Sequence, residues 1–464
     1  VFTTLTTMVS FASLVVSDIR PVIDFGLMMT WGMLLAFVLT FLLFPAALAK
    51  WAPGPAPSEG ANFTARFTGG LAALVERAPM LIWLSFAMLL VVGAVGVTRL
   101  TVENRFIDYF HESTEIYQGM LEIDRELGGT TPVDIIIDAP NSFYEEQAYL
   151  AELAEEDDYL TQGLDGGLSS SSYWYNAFRQ SEVHAIHDYL ESLPQTGKVL
   201  SLSSSLRMAQ MVNGGAPLGN FEMAVAHRLL PEEVKAALFD PYMSPDGNQL
   251  RFAVRVVDSD PTLRRDALLR QIEHDLVEKV GLKPEQVNLT GMMVLYNNVM
   301  QSLFQSQLAT LVVVFIAISA MFGLLFRSLK MAMIGVIPTL VAAVLVLGLM
   351  GWMNIPLDIM TITIAAITIG IGVDDTIHYA HRFKDEVRQH GQERAVHRAH
   401  ASVGRAMAYT TLVVTLGFSI LALSNFVPTV YFGLFTGAAM LIALISNLTL
   451  LPLLLNRLTP FPRQ

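Results

Sequence analysis

"GIGVDDTIHYAHR", residues 370–382, puts two adjacent carboxylates, Asp374 and Asp375, directly after a run of apolar and small residues that reads as membrane-spanning. A carboxylate at hydrocarbon depth costs roughly 2.5–3.5 kcal/mol on insertion scales, and such residues face a bundle interior or a water path. On a helix, Asp374, His378 and Arg382 follow at i, i+4 and i+8, while Asp375 and Tyr379 share a second stripe. Gly370 and Gly372 carry no side chain, so a neighbouring helix can pack closely beside the carboxylates. Two carboxylates so placed form one coupled pair, able to take a proton from one side and release it to the other. The following span supplies Thr411 and Thr415 at i and i+4, hydroxyls placed to donate to the pair or to hold relay waters. Plainer alternatives are an interfacial carboxylate close to Arg382, an interfacial His378, and threonines bonded back onto their own helix.

Composition outside this stretch agrees with a membrane setting. Of 464 residues 53% are hydrophobic and 15% charged, with mean hydropathy +0.47; soluble domains carry about 25% charged residues. Cysteine is absent, which excludes disulfides, thiolate metal sites and cysteine catalysis. No basic segment or small-residue cleavage site precedes the first apolar run, so no signal peptide is expected, and the chain reads as starting inside a longer protein. Charge is sharply partitioned. Residues 99–300 hold 32 Asp/Glu against 15 Lys/Arg, and the remainder 10 against 14.

Apolar stretches near the required length of about 20 residues lie at about 2–17, 25–48, 79–98, 304–326, 331–352, 357–380, 406–424 and 429–455. Basic residues select one side of this ladder: Lys50, Arg66 and Arg77, then Arg327 and Lys330, the cluster from Arg382 to Arg405, and Arg457 and Arg463. The alternate connections carry Asp18, Asp24 and Asp358, with Arg20 the one basic exception. By the positive-inside rule the acidic segment faces outside. The organisation expected is two spans in 1–48, a cytoplasmic linker at 49–78 that opens with the Pro/Gly-rich "KWAPGPAPSEG" (50–60), a span at 79–98, an outside domain at 99–303, and a five-helix bundle at 304–456. Its cytoplasmic connector, 381–405, reads as a helix along the inner surface interrupted at Gly391. In the outside domain "TPVDIIIDA" (131–139), "QLRFAVRVVDSD" (249–260) and "QVNLTG" (286–291) read as strands. Residues 261–281 read as a helix opening at Pro261, and that order suggests a split βαβ unit. "GLDGGLSSSSYWYNAF" (163–178) reads as a flexible loop with an aromatic end. The segments 102–110 and 288–300, aromatic or Met-rich with few charges, are expected to carry a substrate path at the domain's base.

The chain repeats itself. Residues 3–48 align without a gap on 410–455, with 16 of 46 positions identical, including Pro21/Pro428, Phe25-Gly26-Leu27/Phe432-Gly433-Leu434 and Pro45/Pro452. Two span pairs in the same orientation, separated by a large outside domain, indicate a duplicated parallel-repeat bundle. The offset projects a matching Asp-containing motif to about 33 residues before Val1, so the missing N-terminal half of the same protein is an expected partner.

The chain resembles the resistance–nodulation–division (RND) superfamily, most closely its MMPL-like branch, which includes hopanoid transporters. "GIGVDDTIHYAHRF" in the fourth span of the second repeat, the outside domain after that repeat's first span, "SNFVP" (424–428) and the closing "TLLPLLL" (449–455) carry the resemblance. The Gly-x-x-x-Asp-Asp element of Gly370, Asp374 and Asp375 also resembles the relay motif of Patched and Dispatched proteins. The resemblance implies a polytopic α-helical membrane protein with an extracytoplasmic α/β porter-like domain. It implies proton-driven export of lipid or other hydrophobic molecules from a bacterial inner membrane, with Asp374 and Asp375 as the relay and residues 99–303 on the periplasmic side. Membrane lipids, a lipid-like substrate and a homo-oligomer, dimer or trimer, are the partners expected; nucleic acid is not. A non-transporting lipid sensor or scaffold and a SecDF-like translocation accessory are the alternatives. No metal-ligand cluster, nucleophile elbow or phosphate loop stands out, so neither an enzyme nor a cofactor is expected.

Overall fold

The computed structural model describes residues 2–17, 19–50, 63–101, 105–156, 168–358 and 360–458. Asp18, most of the Pro/Gly-rich linker, residues 102–104 of the 102–110 segment, the start of the 163–178 loop, and Arg463 lie outside them. In chain order the helices are α1 (Phe2–Ala12), α2 (Arg20–Lys50), α3 (Phe63–Arg77), α4 (Pro79–Val97) and α5 (Glu115–Glu126). Strand β1 (Thr131–Asp138) precedes α6 (Asn141–Glu156), α7 (Leu168–Ser171) and α8 (Gln180–Ser192); β2 (Thr196–Leu200) precedes α9 (Leu202–Val212), α10 (Asn220–Leu229) and α11 (Glu232–Leu238). Then come β3 (Gln249–Val256), α12 (Arg265–Glu278), β4 (Val287–Thr290), α13 (Met292–Phe326), α14 (Leu329–Trp352), α15 (Thr363–His390), α16 (Gln392–Ala399), α17 (Arg405–Ser419) and α18 (Val427–Leu458). The chain divides into two compact units, one of residues 1–104 with 299–464 and one of residues 105–298.

Among the described residues six helical stretches are long and apolar enough to cross a membrane: α2, α4, α13, α14, α18 and the stretch Arg394–Leu423 containing α17. The protein is a multi-pass membrane protein. Two further spans read from the sequence take a different form. Residues 2–17 are the short α1 continued by a 3-10 turn, Ser13–Val16. The span read at 357–380 starts later, at Thr363, because the Asp358 carboxylate accepts the amides of Met360 and Thr361 and holds a turn ahead of the helix. Its own carboxylates lower its hydropathy, and α15 continues past them to Gly391, whose φ of +78° ends it at a conformation that favours glycine.

The repeat is visible in side-chain packing. A Cβ on Gly26 would lie 2.6 Å from the Phe11 carbonyl oxygen and 2.8 Å from Leu14 Cβ; one on Gly433 would meet the Phe418 carbonyl and Leu421 Cβ. Each pair is related by the same offset. In both copies a 3-10 turn follows the first helix and ends on a serine in extended backbone, Ser17 or Ser424.

The second unit is α/β. Its four strands form an antiparallel sheet in the order β2-β3-β1-β4. Strands β3 and β4, joined through α12, flank β1, which is the split βαβ arrangement. Alternation along β1 buries Val133, Ile135 and Ile137, which join Phe252, Val254, Ile186, Leu190, Ile272 and Leu276 in one core. Strand β3 stops at Val256 rather than 260 because the amides of Asp258 and Ser259 donate to the buried Asp124 carboxylate instead of a strand. Helix α12 starts at Arg265 rather than Pro261, since Asp260 captures the Thr262 amide and hydroxyl in a turn, both at 2.8 Å. The aromatic end of the 163–178 loop is core, with Trp174 and Tyr175 buried. The Trp174 amide donates to the Gly247 carbonyl and the Tyr173 amide to the Asn248 side chain, so backbone anchoring turns these rings inward.

Candidate functional site

Helix α15 is the member of the bundle that others surround. Its first half, built from Ile, Ala, Thr and Gly, is buried on nearly every side, and α1, α14 and α18 pack against it. Close approach depends on the two glycines. A Cβ on Gly370 would collide with the Ser10 side chain of α1, and one on Gly372 would lie 2.9 Å from Thr339 Cγ2 of α14 and 3.4 Å from Ala443 Cβ of α18.

One turn further on, Asp374 and Asp375 are half-buried. Asp374 Oδ1 lies 3.4 Å from His378 Nε2 at i+4. Thr411 of α17 donates its hydroxyl to Asp375 Oδ2 at 3.3 Å, a bond between helices. Thr415 bonds instead to the Gly437 carbonyl of α18 at 3.5 Å. Tyr379, fully buried, places its hydroxyl 3.0 Å from His400 Nδ1. The structure therefore gathers Asp374 with His378 and Asp375 with Thr411, and gives Thr415 and Tyr379 other partners.

Three further polar groups lie along α15 or on the helices packed against it. Asn447 of α18 accepts the Thr376 hydroxyl at 2.7 Å and donates to the Gly372 carbonyl at 3.3 Å, clamping the turn of α15 that carries the two carboxylates. Thr6, Ser10, Ser13 and Ser17 are buried at spacings of four, three and four, a hydroxyl stripe legible from helical periodicity. Beyond the carboxylates Glu386, buried, receives Arg382 at 2.5 Å, His390 at 3.0 Å and Arg398 at 2.7 Å. Arg398 lies on α16, so this ion cluster ties the end of α15 to the connector. A lone Asn in the apolar "ALISNLTLL" (443–451) was the one sequence signal for the clamp; nothing local marks Glu386 as different from its charged neighbours.

In the second unit His187, Asp188 and Glu191 bring ligand atoms within 4.8 Å of one another. Asp188 is paired with Arg207 and His187 Nδ1 with the Ser201 hydroxyl at 2.9 Å, so two of the three are already engaged within the protein. Aromatic side chains gather near the ends of this unit's chain segment: Tyr109 and Tyr296 share a hydroxyl contact at 3.1 Å, and Phe106 stacks edge-on to Tyr109 at 5.5 Å.

The MMPL family matches residues 193–463. Over 396 residues, 82% of this chain and 91% of the other, the sequence is 23% identical to membrane protein MJ1562 of Methanocaldococcus jannaschii. It is 30% identical over 185 residues, 38% of this chain, to the hopanoid transporter HpnN of Burkholderia multivorans, and 33% identical over 132 residues, 26% of this chain, to that of Rhodopseudomonas palustris. These alignments span 20% and 15% of the two hopanoid transporters. The fold is similar to that of the hedgehog release protein Disp from the water bear Hypsibius dujardini, with a TM-score of 0.58 and 14% identity over 99% of this chain and 58% of that one.

Proposed function

The chain belongs to the MMPL family, and on that footing we propose that it exports lipid-like, amphipathic molecules, driven by protonation of the Asp374–Asp375 pair. The observation that carries this reading is the hydrogen bond from Thr411 to Asp375. A charged carboxylate can only accept from Thr411, whereas a protonated one can also donate. Changing the charge at this contact therefore changes how α17 and α15 prefer to pack. The coupling is a population shift, limited by the difference in proton affinity between the two packings. Asp374 with His378 supplies the second half of the pair.

The substrate class follows from the hopanoid transporters among the relatives. In the second unit the Phe106–Tyr109–Tyr296 cluster offers apolar faces with polar tips, as an amphipathic ligand requires, and is our candidate for the substrate path. The acidic domain lies on the outer side of a bacterial inner membrane in this reading, and the repeated span pair belongs to a two-repeat bundle.

The test is export of a fluorescent lipid analogue from proteoliposomes of the full-length protein under an imposed pH gradient. Asp374→Asn and Asp375→Asn, singly and together, should abolish export while insertion and lipid-analogue binding persist; His378→Ala should be milder. Undiminished export by the double variant would sink the relay and favour a lipid sensor or scaffold.

A further inference from the structure

His400 is a buried ionisable group, 1% exposed, that the mechanism above does not use. It opens a π-helical segment, His400–Gly404, between α16 and α17; such bulges inside helices are frequent at functional sites. Its Nε2 lies 2.8 Å from the Leu448 carbonyl of α18, and its Nδ1 lies 2.9 Å from the Val396 carbonyl and 3.0 Å from the Tyr379 hydroxyl.

The Leu448 carbonyl is available for a reason written in the sequence. Its helical partner would be the amide of residue 452, which is Pro452 inside α18, and proline has no N–H. His400 fills that place from another helix.

The ring is thus offered two proton inventories. A neutral imidazole donates from Nε2 to Leu448 and accepts the Tyr379 proton at Nδ1. An imidazolium donates from both nitrogens, to Leu448 and to Val396, and Tyr379 must then turn its proton elsewhere. The ring has partners in both states without moving the backbone, and the change falls on the buried Tyr379 hydroxyl. Tyr379 lies one turn beyond Asp375 on the same stripe of α15, so the exchange reaches the helix that bears the carboxylates. Among the described residues the other ionisable groups acting on His400 are His397 of α16 and Glu76 of α3, themselves paired at 3.0 Å; α18 presents the uncharged Leu448 carbonyl.

We propose that His400 is a second proton-binding residue of the transport cycle, held by the carbonyl that Pro452 frees and linked to α15 through Tyr379. This rests on the relay reading, but it is separable from it by experiment. In the full-length protein labelled with 15N-histidine, the His400 resonance is identified as the one displaced by Tyr379→Phe and by Pro452→Ala. It should pass from one protonated nitrogen to two between about pH 9 and about pH 5. In proteoliposomes under an imposed pH gradient, dye-reported proton flux should fall on the order of a hundredfold in His400→Gln, whose amide can still donate to Leu448. Tyr379→Phe should shift the pH profile of that flux. A His400 resonance that keeps one protonated nitrogen throughout, or an unchanged flux profile in His400→Gln, overturns the proposal. Loss of flux in the aspartate variants with a non-titrating His400 would overturn this inference alone; persistent flux in those variants with a titrating His400 would overturn the relay alone.

Discussion

Phe25 and Phe432, which hold the same position in the two copies of the repeated span pair, meet edge to face with ring centroids 6.4 Å apart and planes at 88°. The two rings are separated in sequence by the same 407-residue offset as the rest of the repeat, so the copies meet at equivalent residues. Each ring also packs on its own copy's phenylalanine, Phe25 on Phe11 at 6.2 Å and 74°, Phe432 on Phe418 at 5.9 Å and 75°. The near-identical geometries indicate that duplication preserved not only the helices but the way each pair packs.

This contact predicts a coupling. Phe25→Ala and Phe432→Ala should be non-additive in unfolding measurements, with an interaction energy of about 0.5–1.5 kcal/mol beyond area burial, as for other aromatic pairs. Strict additivity would mean that the rings merely share space.

Thr411→Val removes the hydroxyl that donates to Asp375 while keeping the side chain's shape. Folding should be little affected, and proton flux should fall and its pH profile move, whereas Thr411→Ser should restore both in large part. The same pair of changes at Thr415, which bonds to the Gly437 carbonyl rather than the carboxylates, should leave the profile in place.

Asn447→Leu should loosen α18 from α15, because two buried hydrogen bonds disappear together. Interhelical hydrogen bonds in membranes average about 0.6 kcal/mol and reach about 1.7 kcal/mol. A loss of about 1–2 kcal/mol in thermal or denaturant unfolding in detergent is expected. An Asn447→Leu protein as stable as the parent would show the clamp to be dispensable.

The second unit should weaken in acid. Burial, reinforced by Arg207, holds His184 and His187 below their ordinary value of 6.5, and burial with Lys235 does the same to His227. Unfolded histidines therefore bind protons first, so this contribution is complete above pH 6.5 and is lost as pH falls below it toward the folded values. Burial pushes Asp124 up, but hydrogen bonds from Thr130, Ser259 and Asp258 outweigh it and hold the carboxyl below 3.8. Its contribution goes in a second, more acid step. Hydrogen exchange at β1 and β3 amides in the full-length protein should accelerate between about pH 7 and about pH 5 after correction for intrinsic rates. Unchanged protection over that range would refute the histidine step.

Hydropathy, repetition and the position of the carboxylates were legible along the chain, because each depends on residue type and spacing alone. The span pair at 3–48 and 410–455, the place of Asp374 and Asp375 directly after an apolar run, the small residues at Gly370 and Gly372, and three of the four strands are legible in this way, while the short β2 is not. Pro452 even marks the Leu448 carbonyl as one that no helical amide can reach. Periodicity says which residues share a helix face, but not which helix that face meets. Thr411 and Thr415 look equivalent in sequence, and only packing turns the first to Asp375 and the second to Gly437. Asn447 reaches Thr376 across 71 residues, and His400 reaches Leu448 across 48. Those pairings come from how the helices nest, where a buried polar group must find a partner in three dimensions and the chain carries no local record of where that partner lies.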